Sequence, residues 1–372
     1  MIASADVLAA VAGQADRIRE TMRFVHGHPE LGHEERECST HLCETLAAGG
    51  LEVERGVAGM ETAFRATLRG GRPGNTVGFV CLYDAVAAVR PSGRTEAVHS
   101  CGHGPIAGAC VGAALALAGL RDELAGSVVV TGCPADEIHA PGTIARGGGK
   151  ALTAEAGLWD GVDAALYAHP EFIDTVSLES RWMRRAQATV SGERVLATAD
   201  QAPLRAALAA LEFAAGQVPD DVMLERLELD GDVEEGTGLV LRATFLVFAD
   251  AEEDVVTRLE TLQASVPEAS WSVGRLVEAV LPDDRVTAAV AGAFRALDRD
   301  FVADPPRLPF ATDFGNISRR CPAALIGVGR EGGWAFHADE GAAQFASPDG
   351  EAAALTIAHV LALAAADLAE VR

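Results

Sequence analysis

The chain has 372 residues, of which 49% are hydrophobic and 23% are charged, and its formal net charge is −24 at pH 7. This length predicts two domains, and the apolar fraction excludes a disordered chain. The negative charge would repel nucleic acid and anionic membranes, so we expect neither as a partner.

The N-terminal residues and the cysteines indicate where the protein works. Residues 1–20 lack the basic start and apolar core of a signal peptide, and we see no uncharged run near the roughly 20 residues that cross a membrane. The seven cysteines are an odd number spread over a long chain, which favours reduced thiols over a disulfide framework. We therefore expect a cytoplasmic protein.

The first half of the chain predicts helices alternating with strands. Apolar spacing predicts helices over 5–24 and 38–48, and Pro29 with two glycines predicts a loop between them. The elements predicted next are strand 62–68, strand 76–84, a helix after Cys101, strand 127–134, a helix around 150–156 and strand 163–170. This alternation indicates a sheet covered by helices.

The pattern changes after about residue 178 and returns near residue 287. The elements predicted between these points are strand 187–192, helix 203–216, strand 238–249 and helix 252–266. A helix, the strand 321–329 and a final apolar helix over 351–371 follow. The sequence therefore predicts an α/β fold, with a discontinuous domain at 1–178 and 295–372 and an inserted α+β domain at 179–294.

Histidine placement points to the discontinuous domain as the site of chemistry. The chain has ten histidines, and none lies between His169 and His337. His99 and His103 flank Cys101, and most of these residues fall at the ends of predicted strands or in the loops that follow. Open α/β sheets bind ligands in the loops after the carboxyl ends of strands, so these side chains can converge there.

Asp136 and Glu137 follow the predicted strand 127–134 and add carboxylates to this set. Thiolate, imidazole and carboxylate together suit zinc, manganese or cobalt better than calcium or magnesium. A metal lowers the pKa of bound water toward about 7, and a neighbouring carboxylate can take the proton. Taken singly, each feature has a simpler explanation: an incidental Cys-x-His pair, a solvated acidic pair, or the loop histidines His169 and His337.

Several motifs together extend this interpretation. They occur in the order RFVHGHPELGHEE, LYDA, HSCGHGPIAGACVGAALAL, CPADE, GGGKAL, YAHPEF, TDFGNIS and FHADE. In these motifs the chain resembles the metal-dependent amidohydrolases of metallopeptidase family 20, in the subfamily of auxin-conjugate hydrolases, aminoacylases, aminobenzoyl-glutamate hydrolases and related dipeptidases. GGGKAL lacks the Ser or Thr of a phosphate-binding P-loop, and we interpret it as a loop that enters a helix.

The resemblance implies a pair of divalent ions, manganese or zinc, with cobalt as a further candidate. It implies Cys101 as the bridging ligand, with His103 and His169 completing one site and Glu137 and His337 the other. It also implies a catalytic domain with a mixed sheet flanked by helices, an inserted lid domain, a small-molecule substrate and a homodimer formed through the lid.

The resemblance also implies an activity. Asp136 would carry the proton of the attacking water, and Asp84 would orient a ligating histidine, although a strand-end cap explains Asp84 equally well. The reaction implied is hydrolysis of an amide C–N bond in an amino-acid conjugate, an N-acyl amino acid or an unusual dipeptide. The alternatives are hydrolytic deamination of an aryl amine and a non-catalytic metal-binding or ligand-binding descendant.

Three positions depart from the family pattern. The family usually has Glu-Glu where this chain has Asp136 and Glu137, and it usually has Asp or Asn where this chain has Gly104. The lid of the family normally offers a histidine that holds the oxyanion, and 191–203 contains none. The residues that could replace this missing histidine as a donor are Arg194, Arg242 and Asn316.

The stretch 86–98 also looks longer than in the nearest relatives and is expected to border the site.

Overall fold

The computed structural model describes residues 2–192, 194–195, 198–199, 202–216, 221–230 and 239–371. The chain forms two compact units. The first unit comprises Met1–Glu179, Val280–Pro306 and Asp313–Arg372, and the second comprises Ser180–Ala279 and Arg307–Thr312. The sequence prediction ended the insert at 294, whereas the second unit gives way to the first after Ala279.

The described helices and strands follow in chain order. The helices are α1 Ser4–Ala12, α2 Ala15–Gly27, α3 Arg36–Ala48, α4 His103–Gly119, α5 Pro141–Arg146, α6 Gly149–Glu155, α7 Ala202–Ala215, α8 Glu252–Ser265, α9 Asp284–Ala296, α10 Phe314–Ser318, α11 Asp339–Phe345 and α12 Pro348–Leu368. The strands are β1 Glu52–Arg55, β2 Phe64–Arg69, β3 Arg72–Cys81, β4 Val86–Val89, β5 Thr95–Val98, β6 Ala125–Gly132, β7 Ala164–Glu171, β8 Trp182–Gly192, β9 Arg194–Val195, β10 Thr198–Ala199, β11 Val222–Asp230, β12 Leu239–Ala249, β13 Ser270–Val277 and β14 Ala323–Gly329. The predicted helix over 5–24 is two helices, because α1 ends at Ala12 and Gly13 is its C-cap.

A six-stranded mixed sheet forms the centre of the first unit, in the order β1-β2-β6-β3-β7-β14. The strands β6, β3, β7 and β14 run parallel, and β1 and β2 add antiparallel pairs at one side. Long runs of consecutive residues are buried in β3, β6 and β7, as expected for strands covered on both faces. The predicted fold class is confirmed, and the carboxyl ends of the parallel strands meet at one edge.

Glycines let α4 pack closely against α2. A Cβ atom on Gly108 would lie 2.6 Å from the carbonyl oxygen of Ile18, and one on Gly104 would lie 3.1 Å from that of Met22. Gly104 therefore faces α2, which gives this departure from the family pattern a packing role. The close approach fixes α4, whose first residue is His103.

A four-stranded antiparallel sheet forms the centre of the second unit, in the order β11-β12-β8-β13. Helices α7 and α8 pack on it, and its core includes Leu241, Phe245 and Leu262. Strands β8 and β12 were predicted from the sequence, whereas β11 and β13 were not. Most residues of these two strands are exposed or half-buried, so they lack the continuous apolar signal of β12.

Helix α12 has the length and composition of a membrane-spanning helix, with a mean hydropathy of 1.5. However, 67% of this apolar window is buried inside the protein, where α12 packs against α4 and α9. Its apolar character is therefore accounted for by core packing.

The packing of α4 against α2 gives a prediction for stability. Replacement Gly108→Val should lower the free energy of unfolding by about 1–3 kcal/mol, because the new side chain meets backbone atoms that cannot move aside. Gly119→Ala is the matched control, since a Cβ at this exposed helical position meets nothing within 4 Å. Urea denaturation measures both, and equal stability of the two variants would contradict the packing role.

Candidate metal centre

The chemistry-bearing residues lie at the carboxyl edge of the mixed sheet. Asp84 follows β3, Asp136 and Glu137 follow β6, and His169 lies near the end of β7. Cys101 comes just before α4 and is followed by a glycine with φ of +98°, where a Cβ would also lie 2.9 Å from a proline side chain. The parallel strands thus bring distant parts of the sequence to one place.

Two groups of side chains could each hold a metal ion. Cys101, His103 and His169 form one group, and Cys101, Glu137 and His337 form the other. Within each group the potential ligand atoms lie within 4.8 Å of one another. The structure thus brings together the five predicted ligands, and the thiol belongs to both groups. This donor set can hold two metal ions that share the sulfur.

Asp84 orients one ligand from each group. The Nδ1 atom of His103 lies 2.7 Å from the carbonyl oxygen of Asp84 and 3.1 Å from its carboxylate. The backbone N–H of Glu137 donates to the other carboxylate oxygen of Asp84 at 2.9 Å. As a result, the Nε2 atom of His103 faces the cluster, as expected of a histidine whose other nitrogen is held by a carboxylate.

Two buried polar atoms at the cluster support a fit to metal ions. Nε2 of His103 and Oε1 of Glu137 are buried and have no hydrogen-bond partner among the described residues. Buried polar atoms are normally paired, so both are available as ligand atoms.

The other two histidines also present Nε2 to the Cys101 thiol. His169 donates from Nδ1 to the carbonyl oxygen of Pro170 at 2.6 Å, and its Nε2 lies 3.7 Å from the sulfur. His337 has a positive φ of 59°, and its backbone N–H donates to the carbonyl oxygen of Ser100 at 2.9 Å. Its Nε2 lies 3.3 Å from the sulfur. These contacts centre the site on the thiol.

The surroundings of Cys101 favour its thiolate form. Burial raises the pKa of the thiol, but the nearby imidazoles of His103, His169 and His337 outweigh burial and hold the pKa well below its ordinary value. Burial lowers the pKa of His169, whereas contacts with Cys101 and Glu171 raise it, for a net value of about 9. The thiolate is the form that binds metal, so the site is prepared for it.

Glu35, which was not predicted as a site residue, fixes the loop that carries Asp136. Its Oε1 accepts hydrogen bonds from the backbone N–H groups of His33 at 2.9 Å and Ala135 at 2.8 Å, and its Oε2 accepts one from the Thr62 hydroxyl at 2.8 Å. Ala135 has φ of +59°, which is strained for alanine and needs such support. The available signal was the place of Glu35 in the motif HGHPELGHEE.

Lys150, which was also not predicted as a site residue, contacts Asp136 beside the cluster. One carboxylate oxygen of Asp136, Oδ2, lies 3.4 Å from Nε2 of His103, and the other, Oδ1, forms an ion pair with the Lys150 ammonium. Lys150 forms a second ion pair with Asp313 at 2.9 Å and is completely buried. The composition of the sequence could have identified Lys150, because the chain has 29 arginines and this single lysine.

The three candidate donors for the substrate lie in different parts of the chain. Asn316 is buried on α10 of the first unit. Arg242 lies on β12 of the second unit, where it forms an ion pair with Asp230. The side chain of Arg194 and parts of 191–203 lie outside the described residues. Their role toward a substrate stays a prediction.

The predicted border segment 86–98 forms a hairpin of β4 and β5. Arg90 of this hairpin forms an ion pair with Asp339 at 2.9 Å, two residues after His337. The hairpin is therefore tied to the segment that supplies the most exposed ligand.

An aromatic surface adjoins the same ligands. The ring of Phe336 lies 5.7 Å from the ring of His169, and the ring of Phe172 lies 5.7 Å from that of Phe336. Phe172 is 59% exposed. An exposed aromatic side chain beside a metal centre offers a surface for an apolar part of a ligand.

Comparison with known proteins identifies relatives for most of the chain. The model of Peptidase family M20/M25/M40 matches residues 82–362. One of the subunits of the p-aminobenzoyl-glutamate hydrolase of Escherichia coli (strain K12) is 33% identical over 171 residues, covering 42% of this chain and 34% of that protein. The Xaa-Arg dipeptidase of Mus musculus is 33% identical over 170 residues, covering 42% of this chain and 35% of that protein. The chain thus spans about a third of the length of these curated relatives.

Solved structures share the fold over nearly the whole chain. A dinuclear metal-binding peptidase of the M20 family from Bacillus subtilis is 19% identical, with a TM-score of 0.69, and covers 96% of this chain and 99% of that one. An aminobenzoyl-glutamate utilization protein from Klebsiella pneumoniae is 17% identical, with a TM-score of 0.69, and covers 96% of this chain and 98% of that one. At these identities the likeness shows the fold.

The shared thiol gives a prediction for metal binding. The protein should bind two divalent ions, His337→Ala should reduce the count to one, and Cys101→Ala should weaken both sites because the sulfur belongs to both groups. Elemental analysis after dialysis against zinc or manganese measures the ratio. His359→Gln, on α12, is the control and should keep two ions, and a Cys101 variant that keeps both would refute the shared sulfur.

The lowered pKa of Cys101 gives a prediction for thiol reactivity. In the metal-free protein iodoacetamide at about pH 6.5 should modify Cys101 first, because its thiolate persists below the pKa of an ordinary thiol and the other six cysteines are buried. The rate should fall only when the pH drops through the lowered pKa, and bound zinc should protect the sulfur. Peptide mass mapping locates the label, and first labelling of another cysteine would contradict this assignment.

Proposed function

Because the chain belongs to Peptidase family M20/M25/M40, we propose that it hydrolyses an amide C–N bond of a small molecule at the candidate metal centre. The observation that carries this proposal is the pair of ligand groups that share Cys101, with the carboxylate of Asp136 beside them. A buried donor set next to a further carboxylate is suited to hydrolysis by activated water.

Asp136 and Asp84 have different roles in the proposed reaction. Divalent ions, manganese or zinc with cobalt as a further candidate, polarise a carbonyl oxygen and lower the pKa of water when bound at such a centre. Asp136 takes a proton from the attacking water through Oδ2 and delivers it to the leaving nitrogen. Asp84 holds His103 and Glu137 in their orientations, so the ligands need no rearrangement during the reaction.

We propose an amino-acid conjugate, an N-acyl amino acid or an unusual dipeptide as the substrate, with an aromatic or apolar group. Support comes from the surface formed by Phe172 and Phe336 beside His169. The same surface favours a second candidate, hydrolytic deamination of an aryl amine, because such a substrate would place a ring near the ligands.

We also propose a cytoplasmic homodimer formed through the second unit. Support for the contact comes from β11, an edge strand with exposed apolar side chains at Leu227 and Leu229. An edge strand with apolar side chains is prone to pair with another chain.

Asp136→Asn should lower kcat at least about 10²-fold, because the amide cannot accept the proton of water. The metal content should match that of the wild type, since Asp136 lies outside both ligand groups. Asp16→Asn, at a fully exposed position of α2, is the control and should leave kcat unchanged.

The substrate is identified with the same preparations. N-acyl amino acids, dipeptides and aryl amines are incubated with the zinc-loaded or manganese-loaded protein, and release of a carboxylate distinguishes amide hydrolysis from release of ammonia by deamination. A wild type that binds two ions and turns over none of these compounds would overturn the proposed function.

A further inference from the structure

Lys150 is an unusual residue for this chain. The protein has 29 arginines and one lysine, and this lysine is completely buried, whereas most of the arginines reach solvent. Burying an ammonium is unfavourable unless close partners offset the lost hydration. The contacts of Lys150 therefore indicate what the charge does.

Two carboxylates surround the ammonium. Nζ of Lys150 contacts Oδ1 of Asp136 and lies 2.9 Å from Oδ1 of Asp313. The ring of Tyr167, at 5.2 Å from Nζ to the ring centroid, packs against the same ammonium. These partners leave the ammonium close to two negative charges and away from water.

Asp313 is itself fixed. Its Oδ2 accepts a hydrogen bond from the backbone N–H of Ala151 at 3.0 Å, in the first turn of α6. A Cβ on Gly148 would lie 2.3 Å from the same oxygen, so the carboxylate is packed against the backbone. Asp313 therefore provides a rigid anchor for Lys150, which in turn reaches Asp136.

The contact with Lys150 restricts the orientation of the Asp136 carboxylate. Because Oδ1 is held by Lys150, the carboxylate cannot rotate without breaking an ion pair in a buried place. Its Oδ2 stays on the side of the ligand groups, 3.4 Å from Nε2 of His103. A side chain with one methylene before its carboxylate has few ways to reach both partners at once.

We propose that Lys150, anchored by Asp313, is a positioning residue that fixes Asp136 with one oxygen toward the metal ligands. This inference rests on the proposed function, in which Asp136 transfers the proton. Lys150 contacts neither substrate nor ligand atoms in this role and acts through the Asp136 carboxylate. Loss of the ammonium leaves Asp136 free to turn and so lowers the rate of the chemical step.

A charge-balanced pair of substitutions separates positioning from folding. Lys150→Met alone should lower kcat by about 10²-fold with KM changed less than about threefold, and it should also lower the melting temperature because the buried carboxylate of Asp313 and the partly buried one of Asp136 lose their shared cation. Adding Asp313→Asn removes one of these charges. The double variant should regain most of the melting temperature while kcat stays low and two metal ions remain bound.

The single lysine also offers a signal that does not depend on activity. Lysine labelled with ¹³C at Cε and ¹⁵N at Nζ gives one side-chain resonance in a protein whose tag lacks lysine. Asp136→Asn and Asp313→Asn should each shift this resonance, because each removes a charge in contact with the ammonium. The exposed control Asp16→Asn should leave it in place.

These measurements distinguish failure of the inference about Lys150 from failure of the proposed function. A double variant that regains kcat together with its melting temperature would show a purely structural lysine and would overturn the inference. An unchanged lysine resonance in Asp136→Asn would overturn it too, whether or not the wild type is active. A wild type without hydrolytic activity, but with a resonance that responds to Asp136→Asn, would instead remove the proposed function and keep the ion pair.

Discussion

Negative charge in a confined space is the constraint that shapes this centre. Asp84, Glu137 and Asp313 are 1%, 6% and 6% exposed, and Asp136 lies among them. Carboxylates in such a space must be paired, hydrogen-bonded or protonated. Burial and the Cys101 sulfur raise the pKa of Glu137, which shows how strongly the metal-free arrangement resists another negative charge. Positive partners are therefore part of the architecture: imidazoles lie at the sulfur and an ammonium lies behind Asp136, and bound metal ions would add further positive charge.

The backbone places these charges with little freedom. Parallel strands deliver the loops to one edge of the sheet, and the glycines of α4 set how deeply this helix sits against α2. The turn at Ala135 then aims Asp136 and Glu137 toward the cluster, with its N–H held by Glu35. Strain at such a turn persists only where surrounding contacts determine the conformation.

The sequence was informative where chemistry depends on residue type alone. Cysteine and histidine at strand ends, taken with the family motifs, were enough to select the five side chains that the structure groups around the sulfur. The alternation of strands and helices was enough for the fold class. The strand boundaries and the break between α1 and α2 depend on local burial, which the apolar pattern of the sequence does not show.

The supporting residues were harder to find because their roles depend on partners distant in sequence. Lys150 is remote in sequence from Asp313, and the ion pair between them exists only once α6 and α10 have packed. Gly104 was interpreted as a change in the site, whereas its hydrogen faces the backbone of Met22. The composition did distinguish Lys150, since it is the single lysine in a chain with 29 arginines.

The two ligand groups differ in their access to solvent. His103 is 1% exposed and begins a buried helix, whereas the side chain of His337 is 49% exposed and lies on a segment tied down by a surface ion pair with Arg90. An ion held with His337 would therefore lie closer to solvent than one held with His103, although both groups share the partly exposed Cys101. Of the two groups, the one that contains His337 would thus be the first that a chelator or a competing ion in solution could reach.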